Sequence, residues 1–204
     1  MKTMKNFTAF LTASALAASL ALSAAAADLS HTVIPGDTIW KLAVKYQVGT
    51  SEIIAANPQV ANPNLIYPGQ ILSIPQVGDA VLQYESEVIR LVNEIRVKNG
   101  LKALAANWEL SRVARYKSED MSSAHYFSHT SPTYGTPFQM MRSFGLSYRT
   151  AGENIAYGQR TPQAVVDAWM NSSGHRANIL NASYTQIGVG YCASGSYWTQ
   201  MFIG

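Results

Sequence analysis

The sequence predicts an α+β protein in two folded units: a small strand–helix–helix–strand unit, then a larger one with helices packed outside a small sheet. Three observations carry this expectation. Between His31 and Pro75, two short strand-like runs bracket two helical stripes. From Tyr84 onward, apolar residues recur at helical spacing. Near the C-terminus the period changes to two: Ile187, Val189 and Tyr191 alternate, Ala193–Ser196 forms a turn, and Tyr197–Ile203 returns. The 204 residues make one domain or two small ones at roughly 100–200 residues per domain. With 48% hydrophobic and 13% charged residues the chain can build a core, which excludes wholesale disorder.

Residues 1–27 are expected to be a signal peptide. Lys2 and Lys5 precede an uncharged run from Asn6 to Ala27, and Ala25-Ala26-Ala27 supplies the small residues of a cleavage site before Asp28. The run is long enough to span a bilayer, but Ala, Ser and Thr dominate it and gain little from leaving water, so no membrane anchor is expected after processing. Without Lys2 and Lys5, thirteen basic residues face twelve acidic ones, a charge of +1 instead of +3. A near-neutral chain without Lys/Arg clusters is not expected to bind nucleic acid. A single cysteine, Cys192, excludes an internal disulfide and a multi-thiolate zinc site. Export with one thiol reads as a bacterial product.

In the first unit, His31–Thr38 reads as a short strand ending in a turn. Asp37 or Thr38 caps a helix through Tyr46, striped by Ile39, Leu42, Ala43 and Tyr46. Ser51 is the expected cap of a second helix carrying Glu52, Ile53, Ile54 and Ala56, which stops at Asn57-Pro58. A second strand, Ile71–Ile74, would pair antiparallel with the first. Residues 30–75 resemble a LysM domain through Val33-x-x-Gly36-Asp37-Thr38-Ile39, Leu42-Ala43-x-x-Tyr46, Ile53-x-x-x-Asn57 and Ile66-x-x-Gly69-Gln70-x-Leu72-x-Ile74-Pro75. The resemblance implies binding of N-acetylglucosamine polymers, peptidoglycan or chitin-like. It places the glycan groove at Gly36, Asp37, Thr38, Ile39, Asn57, Pro58, Ile66 and Tyr67. Several of these residues serve equally well as turn and cap residues. His31 has no evident partner in this unit.

Residues 76–83 read as a linker and residues 84–204 as the larger unit. Its first helix carries Tyr84, Val88, Leu91, Val92 and Ile95 and closes at Asn99-Gly100. Asn107 caps a second helix with Leu110, Val113, Ala114 and Met121 on one face. Pro137 opens a third, and Thr161-Pro162 starts a fourth bearing Val165, Val166, Ala168 and Trp169. This unit resembles the CAP superfamily (cysteine-rich secretory proteins, antigen 5 and pathogenesis-related 1 proteins) in a disulfide-free form. The matching motifs are Val92-Asn93-x-x-Arg96-x-x-x-Gly100-Leu101, Phe127-Ser128-His129-x-Ser131-Pro132, Gly152-Glu153-Asn154-Ile155-Ala156, Trp169-Met170-Asn171-Ser172-x-Gly174-His175-Arg176-x-Asn178-Ile179-Leu180 and Ile187-Gly188-Val189-Gly190-Tyr191.

That resemblance implies a three-layer α–β–α sandwich whose cleft gathers two histidines and one or two glutamates. His129, Glu153 and His175 take those positions. Ser172 stands near the place of a second glutamate, which weakens any mechanism needing two carboxylates. Some family members bind zinc or another divalent cation, so the resemblance offers His129, His175 and Glu153 as metal ligands, although no cofactor is required. Ser128 and Ser131 are assigned to turn capping, and His125 to the surface. Tyr126, Phe127, Trp169 and Trp198 are expected in the core, and Cys192 as a small buried hydrophobe. The expected protein is a secreted monomer on the cell wall or spore surface, holding peptidoglycan or a chitin-like glycan and presenting a non-enzymatic CAP domain. The alternative is a metal-dependent wall hydrolase with Glu153, His129 and His175 as catalytic candidates.

Overall fold

The computed structural model describes residues 27–204, so the signal-peptide reading lies, but for Ala27, outside the described residues. Among the described residues no helix is long and apolar enough to cross a membrane. In the small unit, β1 (Leu29–Thr32) pairs antiparallel with β2 (Ile71–Ile74), with His31 opposite Leu72. Between them run α1 (Ile39–Tyr46) and α2 (Thr50–Ala56). Thr38 is the cap of α1, its hydroxyl accepting the Lys41 N–H at 3.1 Å. The α2 cap differs from expectation: Gly49 takes that place without a side-chain bond, while Ser51 lies in the first turn and donates to Glu52. Val33, Ile39, Leu42, Ala43, Val48, Ile53, Leu72 and Ile74 close the core.

His31 is not partnerless. Its Nδ1 lies 2.8 Å from the Tyr46 hydroxyl and its Nε2 2.9 Å from Asp37 Oδ2. The ring thus ties strand, turn and helix together from a buried position. The Ile34 N–H, and then His31, hold the Asp37 carboxyl below the usual carboxylate range.

The larger unit begins earlier than its apolar stripe suggested. Its first helix, α3 (Asp79–Lys98), starts inside the stretch read as a linker. There follow β3 (Ala105–Ala106), α4 (Trp108–Ser123), α5 (Pro137–Ser143), β4 (Ala151–Tyr157), α6 (Pro162–Asn171), α7 (Ser173–Ile179), β5 (Gln186–Cys192) and β6 (Tyr197–Ile203). The sheet order is β3-β5-β6-β4, antiparallel except for the short β3–β5 pair.

Alternation along the strands builds the three layers. Ile187, Val189, Tyr191, Trp198 and Phe202 face a core shared with Val88, Val92, Val165, Trp169 and Ile179 of α3, α6 and α7. Met201 and Ile203 point the other way, against Leu110, Val113, Ala114, Met140 and Met141 of α4 and α5. Gly190 lets α4 lie directly on the sheet: a Cβ there would sit 2.0 Å from Arg115 N and 2.1 Å from Ala114 C. Neither β4 nor α7 is announced by periodicity. β4 is buried along nearly its whole length, so it shows no polar/apolar alternation. It is an edge strand whose carbonyls are covered by side chains: Trp169 Nε1 donates to Ile155 O and Asn178 Nδ2 to Glu153 O.

The two units meet through α2 and α4. Arg112 grips Glu52 with two nitrogens, Nε to Oε1 at 2.6 Å and Nη2 to Oε2 at 2.9 Å, and the Tyr116 hydroxyl donates to Glu52 Oε1 at 2.7 Å.

Candidate functional site

Two places collect the residues singled out above. In the small unit, Asp37, Thr38, Ile39 and Ile66 line a groove of about 630 Å³ together with Trp40, Thr50, Ile54, Pro63, Asn64 and Leu65. Gly36, Asn57, Pro58 and Tyr67 do not line it. Gly36 instead supplies the left-handed turn, with φ of +90°, and its carbonyl accepts Lys41 Nζ. Asn57 is only 1% exposed. Its Nδ2 donates to Ile53 O and Ser73 O, both at 2.7 Å, and its Oδ1 accepts the Ser73 N–H at 2.8 Å. That side chain staples α2 to β2 and has no donor or acceptor to spare for a ligand. Sequence reasoning missed the groove residues Trp40, Thr50, Ile54, Pro63, Asn64 and Leu65, of which Trp40 is the largest. It sits one position off the buried stripe of α1 and is largely exposed, and a large aromatic on a helix's solvent face was the available signal.

In the larger unit, β4 and the loop after α4 bring two of the three candidates into contact. Glu153 is buried in β4, and its Oε1 lies 2.7 Å from Nδ1 of His129, whose side chain is 53% exposed. Glu153 Oε2 is buried without a protein partner. The bond to Glu153 raises the His129 pKa, favouring the imidazolium. His175, in the first turn of α7, is half-buried. Burial, and then the charge of His129, lower its pKa, so it is favoured as the neutral imidazole. Asn154 Nδ2 of β4 donates to His175 O at 3.1 Å, setting the start of α7 beside the strand that carries Glu153, and the two histidines hold opposite preferences for the proton.

What positions His129 is a lysine in the interior. Lys117 Nζ donates to Ser128 O at 2.7 Å, His129 O at 3.1 Å and the Tyr126 hydroxyl at 3.0 Å. Its residue is fully buried, and that burial lowers its pKa against the pull of Glu153 and Asp120. Asp120 accepts the hydroxyls of Tyr126, Ser131 and Thr133. Burial pushes the Asp120 carboxyl up, but those three bonds outweigh it and hold the group below its ordinary value. Ser131 caps its turn by accepting the Thr133 and Tyr134 N–H groups, and Ser128 accepts the Thr130 N–H. Lys117 was legible in principle: it falls on the stripe of Leu110, Ala114 and Met121, where a charge is out of place.

Two expectations need correction. Phe127 is not core but 53% exposed. Cys192 is half-buried, not fully buried, with its thiol 3.7 Å from Ser194 O. As for metal, among the described residues no three His, Cys, Asp or Glu side chains are grouped to hold an ion. Glu153 is engaged as the partner of His129 Nδ1, which leaves Nε2 as the free nitrogen of that ring. Ser172 joins α6 to α7 and supplies no second acid.

Comparison with known proteins accounts for both units. Residues 89–202 match the cysteine-rich secretory protein family, CAP, and residues 31–75 match the LysM domain. Among curated proteins, the chain is 53% identical over 155 residues to the uncharacterized protein YkwD of Bacillus subtilis, covering 76% of this chain and 60% of that one. It is 38% identical over 144 residues to the uncharacterized membrane protein YlbC of the same organism, covering 68% of this chain and 41% of the other. The chain thus spans less than two thirds of either relative. An extracellular protein containing an SCP domain from Bacillus anthracis has a solved structure that superposes with a TM-score of 0.58 at 36% identity, covering 67% of this chain and 47% of that one. On the sheet order, the helical layers and these matches, the chain belongs to the cysteine-rich secretory protein (CAP) family and carries a LysM domain ahead of its CAP domain.

Proposed function

We propose that this is a secreted bacterial protein that holds N-acetylglucosamine polymers of the cell wall or spore surface through its LysM groove and presents its CAP domain there as a ligand-binding rather than a hydrolytic unit. The observation that carries the reading is the groove itself. Trp40, Ile54 and Leu65 expose apolar surface beside Asp37, Thr38 and Asn64, and a glycan, with apolar ring faces and polar edges, needs both. One such module binds weakly, and a repetitive wall supplies the avidity.

The CAP site supports binding over hydrolysis because it offers one carboxylate. Glycoside hydrolysis ordinarily uses two, one as acid and one as base or nucleophile. Asp120, another carboxylate on the helix that positions the His129 loop, is committed to Tyr126, Ser131 and Thr133. The His129–Glu153 pair is what favours a second reading, since a hydrogen-bonded imidazole and carboxylate can move a proton.

Sedimentation of purified protein with insoluble peptidoglycan, with soluble products assayed in the supernatant, separates the two. Co-sedimentation weakened in Trp40→Ala, with no fragments released, is the expected result. Release of fragments that disappears in Glu153→Gln would establish the hydrolase instead, and absence of co-sedimentation would remove the glycan-holding role.

A further inference from the structure

Two large rings near the CAP site are unusually open to solvent. Phe127 and Tyr157 are each 53% exposed. Phe127 precedes His129 by two residues in the loop held by Lys117, and Tyr157 follows Glu153 by four residues on β4. Side chains alternate along a strand, so Glu153 and Tyr157 share one face. Contacts then join loop to strand at both ends: the His129–Glu153 bond of 2.7 Å at one, and ring centroids of Phe127 and Tyr157 6.3 Å apart at the other. Four residues of strand separate these rungs by about 13 Å. Loop and strand therefore lie side by side and form a strip, polar at one end and aromatic at the other.

The aromatic end is built, not incidental. Tyr197 sits opposite Tyr157 in the β4–β6 register and its ring lies 4.6 Å away. Gly195, with φ of +82°, lets the β5–β6 turn fold against these rings; a Cβ there would meet Tyr197 at 2.7 Å. At the polar end, His129 Nε2 and the His175 ring have no hydrogen-bond partner among the described residues, while Glu153 fixes the His129 ring from below.

We propose that this strip is a second saccharide site, separate from the LysM groove, taking a short run of an N-acetylglucosamine-type glycan strand. The C–H face of one pyranose stacks on Phe127 and Tyr157, and the hydroxyl or acetamido groups of a neighbouring sugar bond His129 Nε2 and His175. The inference rests on the reading above that the chain engages such glycans, and deepens it by assigning the CAP domain a share of the same strand. An extended, uncharged ligand with alternating apolar faces and polar edges matches a strip of this length that changes character along it. A lipid tail does not, because it would leave a charged imidazole–carboxylate pair facing hydrocarbon at the polar end.

The test is an amide and indole chemical-shift titration of the 15N-labelled chain with chitotetraose, using maltotetraose as control. Two sets of shifts are expected with chitotetraose: one around Trp40 and residues 63–66, the other around residues 127–131, 153–157 and 195–197. The double variant Phe127→Ala/Tyr157→Ala should weaken the second set at least tenfold and leave the first unchanged. The exchange Phe127→Tyr/Tyr157→Phe should retain both. Shifts confined to the Trp40 set in the parent chain would overturn the CAP site and leave the LysM reading standing. A second set that survives in the double alanine variant would also overturn it. A second set without the first would support this site while removing the LysM one.

Discussion

Replacing Lys117 by Met tests whether a buried cation, and not the loop's own sequence, holds His129 in place. Met keeps the length and most of the apolar body of the side chain, so little cavity forms. What is lost is three hydrogen bonds, at 2.7, 3.0 and 3.1 Å, from one ammonium. Bonds to a charged group are each worth about 1.5–3 kcal/mol, and an orphaned buried acceptor costs about 1–3 kcal/mol. Two factors pull the total down. Ser128 and His129 are exposed residues whose carbonyls can regain water, and the penalty for desolvating the ammonium disappears. The net expectation is a loss of about 3 kcal/mol, at the low end for breaking a buried charged arrangement. At about 2–4 °C per kcal/mol this is a fall in Tm of roughly 6–12 °C.

The same substitution makes a directional prediction about His129. Removing the lysine charge alone would raise the imidazole pKa slightly. Releasing the loop loosens the bond to Glu153, which is the largest contribution holding that pKa up, whereas Lys117 is the smallest of those acting on it. The larger effect wins, so the His129 pKa in Lys117→Met falls toward the ordinary histidine value. Thermal unfolding followed by circular dichroism and an NMR titration of the His129 ring protons measure both quantities. A variant that melts within about 2 °C of the parent and titrates His129 unchanged would refute the assignment of Lys117 as the loop's anchor.

Other expectations follow from the same geometry. Gly190→Ala places a Cβ 2.0 Å from the α4 backbone, so α4 must lift off the sheet; a cost above about 4 kcal/mol and little folded protein on expression are expected. Asn57→Ala removes four bonds inside the LysM unit and should lower stability by about 2–4 kcal/mol, seen as earlier urea unfolding of that domain without any direct loss of groove contacts. The pH dependence of stability should change in His129→Gln. The folded pKa of His129 lies above its unfolded value, so its contribution is complete below the unfolded pKa of about 6.5 and vanishes as pH rises through the folded pKa. Glu85 acts in a window that starts lower and overlaps this one: burial, opposed by Arg115, pushes it up to about 7, costing stability as pH rises from the unfolded carboxylate value. The difference in denaturant midpoint between parent and variant therefore isolates His129, and a difference independent of pH would refute its raised pKa.

The parts of the fold legible in the sequence are those where residue types repeat with a period. α1 and α4 each show an apolar stripe. β5 is as buried as β4, but Ile187, Val189 and Tyr191 alternate with Gly188 and Gly190 next to a turn, and β6 was found as the return from that turn. β4 was opaque for the converse reason: Gly152 through Ala156 are all buried without such alternation, so period-two contrast vanishes although this strand carries Glu153. Motif resemblance located Glu153 and His129 correctly as neighbours, which periodicity had no means of doing. Sequence reasoning failed at the polar groups whose role depends on distant partners. Asn57 read as a loop residue and proved to be a buried staple, and His31 read as unpartnered and proved to be doubly bonded. Phe127 read as core on the expectation of apolar surroundings, yet the loop it occupies turns it outward.

The two candidate sites share a support. α4 presents Arg112 and Tyr116 to Glu52 of the LysM domain, while Lys117 and Asp120, on the next turn, hold the loop of His129. Ser118 fixes the same helix to the sheet through Gly190 O and Thr199. A rigid helix gripped in this way sets the orientation of one site relative to the other without any need for a signal passing between them. The strength of that setting can be bounded. Glu52 and Arg112 keep 21% and 15% of their side-chain surface, so their bidentate pair is neither fully buried nor freely solvated. Interactions of charged, hydrogen-bonded groups of this kind contribute about 1.5–3 kcal/mol, which favours the docked arrangement by roughly tenfold to a hundredfold. This pair, with the Tyr116 hydroxyl on the same carboxylate, holds the two domains in register.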